Sequence, residues 1–287
     1  MADFFGFETR SLTNSFFRVD ILSKAGPRIV RLVPNDCKNN LMAELPDLKM
    51  PSPYGDCLPL GGHRLWSGPE RFDVTYAPDH LQADLEEIEN GFIIRHEDHY
   101  PAASYLRQLE LTIDPAAPRL KLMHLIKNLG DKPMKSIPWA ITQFKLGSRV
   151  LIPFSKEPAD PDGLLANRNL VMWPYTRLAE KRLHLSDTHI LVDGTPDEHP
   201  LKVGTYCPLG WEAIEFPEEG YVLTKHVPVL PAEAHGDMTS NFHCYVKDTF
   251  IELETLGRST VLQPGESVSH NETWELTKGS FASLGML

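Results

Sequence analysis

The chain has 287 residues, with 28 Lys and Arg against 39 Asp and Glu, a formal net charge of −11. That acidic surplus makes nucleic acid, or an anionic membrane surface, a poor partner. Hydrophobic residues at 41% and charged residues at 23% suit a chain that buries a sizeable core, which excludes a disordered one. Its 24 prolines work against a mostly helical fold.

Taken in order, the elements read as short strands between turns. Residues 16–22 (FFRVDIL), the turn Ala25-Gly26-Pro27 and residues 28–33 (RIVRLV) form a strand–turn–strand unit. Residues 81–89 are the best candidate helix, with Asp84, Glu86, Glu87 and Glu89 as its solvated face. Strands are predicted over 91–96, 106–113 and 120–128, the last two alternating and closed by Asp114-Pro115 and by Gly130 to Pro133. Further strands are predicted over 139–144, 150–153, 221–225, 249–254 and 273–276, with turn-rich surface loops at 160–169 and 196–199. No repeat, low-complexity tract or linker divides the sequence, so one all-β domain over 1–287 is expected, a sandwich or a barrel.

Cys37, Cys57, Cys207 and Cys244 make no CxxC pair, so scattered buried thiols are expected rather than a zinc or redox site. The start MADFFGFETR lacks a basic segment followed by an apolar run, and no apolar stretch approaches the ~20 residues of a membrane helix. A cytoplasmic protein is the expectation. Among the 12 histidines, His96 with Asp98 shares a strand face, and His235, Asp237 and His243 cluster in sequence. Neither group has the HExxH spacing, so no metal and no cofactor are expected. GxxxxGK[ST], GxGxxG after a strand, and GxSxG are all missing, which removes the phosphate-loop, dinucleotide and serine-hydrolase readings.

Three segments carry chemistry. In Gly61-Gly62-His63-Arg64-Leu65-Trp66-Ser67-Gly68-Pro69-Glu70, two glycines permit a tight bend that presents His63 and Arg64. Arg64 offers a planar fork of donors for hydroxyl oxygens, and Trp66 a flat face for a sugar ring. The second segment is Pro138-Trp139-Ala140-Ile141-Thr142-Gln143-Phe144. The third runs from Phe250-Ile251-Glu252-Leu253-Glu254-Thr255-Leu256-Gly257 through Val261-Leu262-Gln263-Pro264-Gly265-Glu266 to Glu272-Thr273-Trp274-Glu275-Leu276. In a strand, Glu252 and Glu254 fall on one face and Ile251 and Leu253 on the other. Two carboxylates on one face can raise one pKa, which suits acid–base work. A solvated strand face is the plain alternative for the glutamates, and a structural Arg64–Glu70 pair is the alternative for the His-Arg segment.

In order and spacing, these segments resemble the galactose mutarotase-like, or aldose 1-epimerase-like, superfamily, from the AGPRIVRL hairpin to the last strand. The resemblance implies a large antiparallel β-sandwich with few short helices, and an open groove on one sheet for a sugar or sugar derivative. It implies isomerisation at the anomeric carbon by proton transfer, with a late glutamate as base. The LET triplet points to Glu254, and the interval to Pro264-Gly265 points to Glu252. By the same resemblance His63 is the candidate acid, and Arg64, Trp66, Glu70, Trp139, Gln143 and Lys225 are candidate ligand contacts. Trp173, Trp211 and Lys202 are further groove candidates. The chain departs from the pattern at Thr142-Gln143, which stand where active mutarotases carry a catalytic histidine in an NHxYFNL-like segment. Glutamine hydrogen-bonds hydroxyls but does not donate a proton at a useful pKa. A non-catalytic carbohydrate-binding protein is therefore the alternative, with a lyase or glycoside hydrolase a more distant one. A monomer or homodimer is expected.

Overall fold

The computed structural model describes residues 2–287. Two large antiparallel sheets carry the fold, and among the described residues the helical elements are 3-10 turns at Ala232–Ala234 and Asp237–Thr239. The first sheet runs, in spatial order, Ala2–Phe4, Phe7–Thr13, Phe17–Leu22, Arg28–Pro34, Leu60–Gly68, Met134–Phe144, Ile251–Leu256, Phe242–Val246, Leu201–Thr205 and Val171–Met172. The second runs Leu183–Leu185, His189–Asp193, Arg149–Pro153, Trp211–Phe216, Tyr221–His226, Ser267–Lys278, Arg119–Asn128, Ala103–Ile113, Gly91–Tyr100 and Asp84–Ile88. The expected all-β sandwich is what forms.

The two sheets differ in how they meet water. Ala103–Ile113 and Arg119–Asn128 alternate between buried and part-exposed residues, one face on the core and one solvated. Leu60–Gly68 and Ile251–Leu256 are buried at every position. Ile251 and Leu253 join the main apolar core with Ile29, Leu111, Phe144 and Val203, while Leu60, Leu65 and Trp66 pack in three smaller apolar clusters.

Residues 81–89 are not helical. Asp84–Ile88 is an edge strand with part-buried Leu85 and Ile88 and exposed Asp84, Glu86 and Glu87, and it pairs with Gly91–Tyr100 in a tight hairpin. Asn90 adopts a left-handed φ of 54° in that turn, so Asn90-Gly91 is a hairpin signal that outweighs the acidic, helix-like composition before it. The Gly61-Gly62 segment is likewise a strand rather than a bend. Both glycines have positive φ, and a Cβ on either would lie about 2 Å from the carbonyl oxygens of Ala43 and Ile29 respectively. They let neighbouring backbone approach the start of the strand, and the chain then runs straight through His63 and Arg64.

Candidate functional site

Register brings the site together. Across the first sheet one row of directly opposed residues reads Lys202, Tyr245, Glu252, Gln143 and Gly62. A parallel row reads Gly204, His243, Glu254, Ile141 and Arg64. Opposed residues in an antiparallel sheet share a face. Five strands therefore raise these side chains on one outer surface, where Lys202, Tyr245, Glu252, Gln143, Ile141 and Arg64 line a cavity of about 260 Å³ with Trp66, Trp139, Tyr76, Tyr175 and Glu70.

Of the two glutamates on the central strand, Glu252 lines this cavity. Its Oε1 accepts from Gln143 Nε2 at 2.8 Å and from Arg64 Nη2 at 3.3 Å. Burial, and then the negative charge of Glu254, push its pKa up to about 7. Glu254 is fully buried and does not line the cavity. Its Oε2 accepts from Trp139 Nε1 at 2.7 Å, Lys202 Nζ at 2.8 Å and His243 Nδ1 at 3.3 Å. Burial alone would raise its pKa; the Lys202 ammonium and His243 outweigh it and hold Glu254 well below the usual carboxylate range. Gly204 makes room for this clamp, since a Cβ there would sit 2.6 Å from His243 Cδ2. Two neighbouring glutamates are thus driven apart, one fixed as an anion and one poised near neutrality.

The cations are equally placed. Arg64 lies over the Trp66 ring at 4.2 Å, and Lys202 Nζ stands 4.5 Å and 4.8 Å from the Trp139 and Trp173 ring centres. Several buried polar atoms around the cavity have no protein partner. They are the donors Arg64 Nε, Arg64 Nη1 and Trp66 Nε1, and the acceptor Gln143 Oε1.

Arg64, Trp66, Glu70, Trp139, Gln143 and Glu252 therefore meet around one cavity, together with Lys202. Arg64 pairs with Glu252, and Glu70 instead accepts from the Tyr76 hydroxyl. His63 and Lys225 are not brought to the cavity. His63 precedes Arg64 in a strand, so it points through the opposite face into the space between the sheets, and it is fully buried there. Lys225 reaches the same interior from the second sheet, and Trp211 packs near Leu151 and Phe281 in that sheet. Trp173 stands behind the cavity, its ring 4.8 Å from that of His243. Tyr76, Tyr175 and Tyr245 line the cavity without having been singled out from sequence; their local segments carry no signal, and only the pairing of distant strands assembles them.

The interior groups form a hydrogen-bonded chain. His124 Nδ1 donates to the His270 carbonyl at 3.0 Å, which leaves its Nε2 bare to accept from His63 Nε2 at 2.7 Å. His63 Nδ1 then accepts from Thr142 Oγ1 at 2.8 Å, and Thr142 accepts from Lys225 Nζ at 2.6 Å. Thr255 Oγ1 accepts from His270 Nε2 and donates to Glu272, each at 2.6 Å. Burial lowers the pKa of His63, His124 and His270, so the rings are neutral. The ligand atoms of His63, His124 and Glu272 lie within 4.8 Å of one another, as in a metal site. All three are already engaged, and the Lys225 ammonium sits 3.4 Å from Glu272, which disfavours a second cation there. Asp98 is taken up by a two-pronged bond from Arg107 at 2.7 and 2.9 Å, and His96 Nδ1 bonds the Gln82 carbonyl at 2.7 Å.

No protein-family model and no curated protein sequence matches this chain. Solved structures do. A galactose mutarotase-like protein from Lactobacillus casei superposes with a TM-score of 0.57 at 11% identity, over 94% of this chain and 100% of the other. A galactose mutarotase-like protein from Clostridium acetobutylicum gives 0.53 at 12% identity, over 97% of each chain. The chain has the galactose mutarotase-like fold. A candidate aldose 1-epimerase from Escherichia coli K12 carries the same fold, with a TM-score of 0.61 at 12% identity over 95% of this chain and 100% of the other.

Proposed function

We propose that this protein binds a sugar in the Glu252 cavity and interconverts its anomers by proton transfer. The observation that carries the reading is the mixture of unpartnered groups: buried donors on Arg64 and Trp66 beside a buried acceptor on Gln143. A hydroxyl both donates and accepts, so a polyol satisfies both kinds at once, whereas a purely anionic or purely cationic ligand satisfies one. Trp66 and Trp139 supply flat apolar faces beside these polar groups. The mutarotase-like neighbours agree with a sugar-sized ligand.

In this reading Glu252 takes the anomeric hydroxyl proton, Lys202 gives a proton to the ring oxygen with Glu254 as its fixed counter-ion, and Arg64 and Gln143 orient the ring. The C1–O5 bond breaks, the open chain turns about C1–C2, and the ring closes on the other face. A base with a pKa near the working pH is the efficient choice. Gln143 in place of the family's histidine favours a second reading, in which the pocket only holds its sugar. NMR exchange spectroscopy over a panel of aldoses separates them. The catalytic reading expects faster anomer exchange with protein, lost by about 10²–10⁴-fold in E252Q while affinity is retained. Bound sugar with unchanged exchange leaves the binding reading, and no bound sugar removes both.

A further inference from the structure

The inner cavity does not end at its mouth. A second chamber of about 500 Å³ opens from it, and Leu48, Met50, Tyr76, Tyr245 and Phe250 line both. Two runs of aromatic rings pass from one chamber to the other. On one side Trp139, Trp66, Tyr76 and Phe72 follow each other at centroid spacings of 5.5, 5.3 and 6.0 Å. On the other, Tyr175, Tyr245 and Phe250 follow at 6.4 and 5.8 Å. Phe72 ends the first run at the outer chamber and is 58% exposed. Around this aromatic floor stands a polar rim of Lys49, Lys247, Asp248 and Thr249.

We infer that the outer chamber is a second sugar subsite, and that the ligand is the reducing end of a disaccharide or longer saccharide rather than a free monosaccharide. This rests on the inner cavity being a sugar site. Size is the first argument. The inner 260 Å³ lies below the usual ~300–1,000 Å³ of a small-molecule site, and the two chambers together fall well inside it. Surface chemistry is the second. A pyranose has an apolar C–H face and a polar edge, and the outer chamber pairs an aromatic floor with charged and hydroxyl groups at its rim; a purely aromatic substituent would leave that rim unused. Direction is the third. Glu252 lies in the inner chamber alone, so the free anomeric carbon sits there and the next ring extends outward.

Calorimetric titration tests this with glucose, galactose and mannose against maltose, cellobiose and lactose, on the full chain and on F72A. Phe72 is an exposed loop residue outside the proton-transfer groups, so F72A is expected to fold. At least one disaccharide should bind about 10-fold or more tightly than its monosaccharides, and F72A should cut that preference by about 3- to 10-fold while leaving monosaccharide affinity unchanged. Equal affinity for mono- and disaccharides, or F72A weakening both alike, overturns the second subsite and leaves the inner site standing. Tight binding of phenyl glucoside without tight disaccharide binding overturns it in favour of an apolar substituent. Absence of binding by every sugar overturns the inner site as well.

Discussion

The separation of the two glutamates can be tested by removing one charge. Glu252 and Glu254 are two residues apart on one strand, so their carboxyl groups stand about 7 Å from each other. At an effective dielectric of ~20, two unit charges at that distance repel by about 2.4 kcal/mol, or ~1.7 pKa units. The carboxyl of Glu252 is raised from its ordinary 4.5 to about 7, first by burial and second by this repulsion. E254Q deletes the repulsion and also frees the Lys202 ammonium, which favours the ionised form of Glu252. The midpoint of Glu252 should fall to about 5. Carbon-13 NMR of glutamate-labelled protein reads it directly, with E252Q assigning the resonance. If Glu252 is the base, the rising limb of the pH profile for anomer exchange should move down with it. A midpoint in E254Q that stays near 7 or rises would refute the claim that the neighbouring charge sets this group, and would leave burial as its whole cause.

A carboxyl raised in the folded chain binds an extra proton between pH 4.5 and about 7, so its contribution to stability is present below that window and is lost as pH rises through it, by about 3 kcal/mol. Urea unfolding should therefore show wild type losing about that much relative to E252Q between pH 4.5 and 7.5, and parallel curves would contradict it. T142V removes the hydroxyl that joins Lys225 to His63 and leaves both fully buried groups short of a partner, so it should cost about 2–3 kcal/mol in the same assay. G62A forces a side chain at a φ of 70° to within 2.0 Å of the Ile29 carbonyl oxygen, and should lower stability by at least about 2 kcal/mol while G220A, at a similar φ but in open space, costs less.

The strand alternation that made Glu252 and Glu254 a pair was readable from Phe250 to Leu256, because apolar and acidic residues take turns there with a period of two. The same period holds at Gly61-Gly62-His63-Arg64, where the glycines mask it. Two glycines suggest a bend, and a bend could present His63 and Arg64 together; a strand sends them to opposite faces. Lys225 differs from its expected place for another reason. Tyr221–His226 alternates well enough to be seen as a strand, but nothing local says that it joins the second sheet, where Lys225 faces inward. Which of the two glutamates meets the cavity was also beyond local pattern. Lys202 and His243 decide it by closing over Glu254, Lys202 from a strand 52 residues away and His243 from the strand just before. The helix expected at 81–89 failed on a turn, where Asn90 could take a left-handed conformation and fold the acidic segment back as an edge strand.

The alternation also ties the cavity to the buried chain beneath it. Arg64 follows His63, Gln143 follows Thr142, and Glu254 precedes Thr255; in each pair one side chain lies on the outer face, where Arg64 and Gln143 line the cavity and Glu254 holds Trp139, and the other joins the interior network. Lys225 touches that network from the second sheet through Thr142 and the Leu253 carbonyl, and Leu253 lies between the two glutamates. A buried polar network that is fully bonded resists displacement, because any member that moves strands a partner in a low-dielectric interior. The three strands whose outer faces carry Arg64, Gln143 and Glu252 are thus pinned from inside to the second sheet at the matching positions. His63 and Lys225 then act on the cavity through the backbone: they fix the register on which the spacing of Arg64, Gln143 and Glu252 depends, without touching anything bound there.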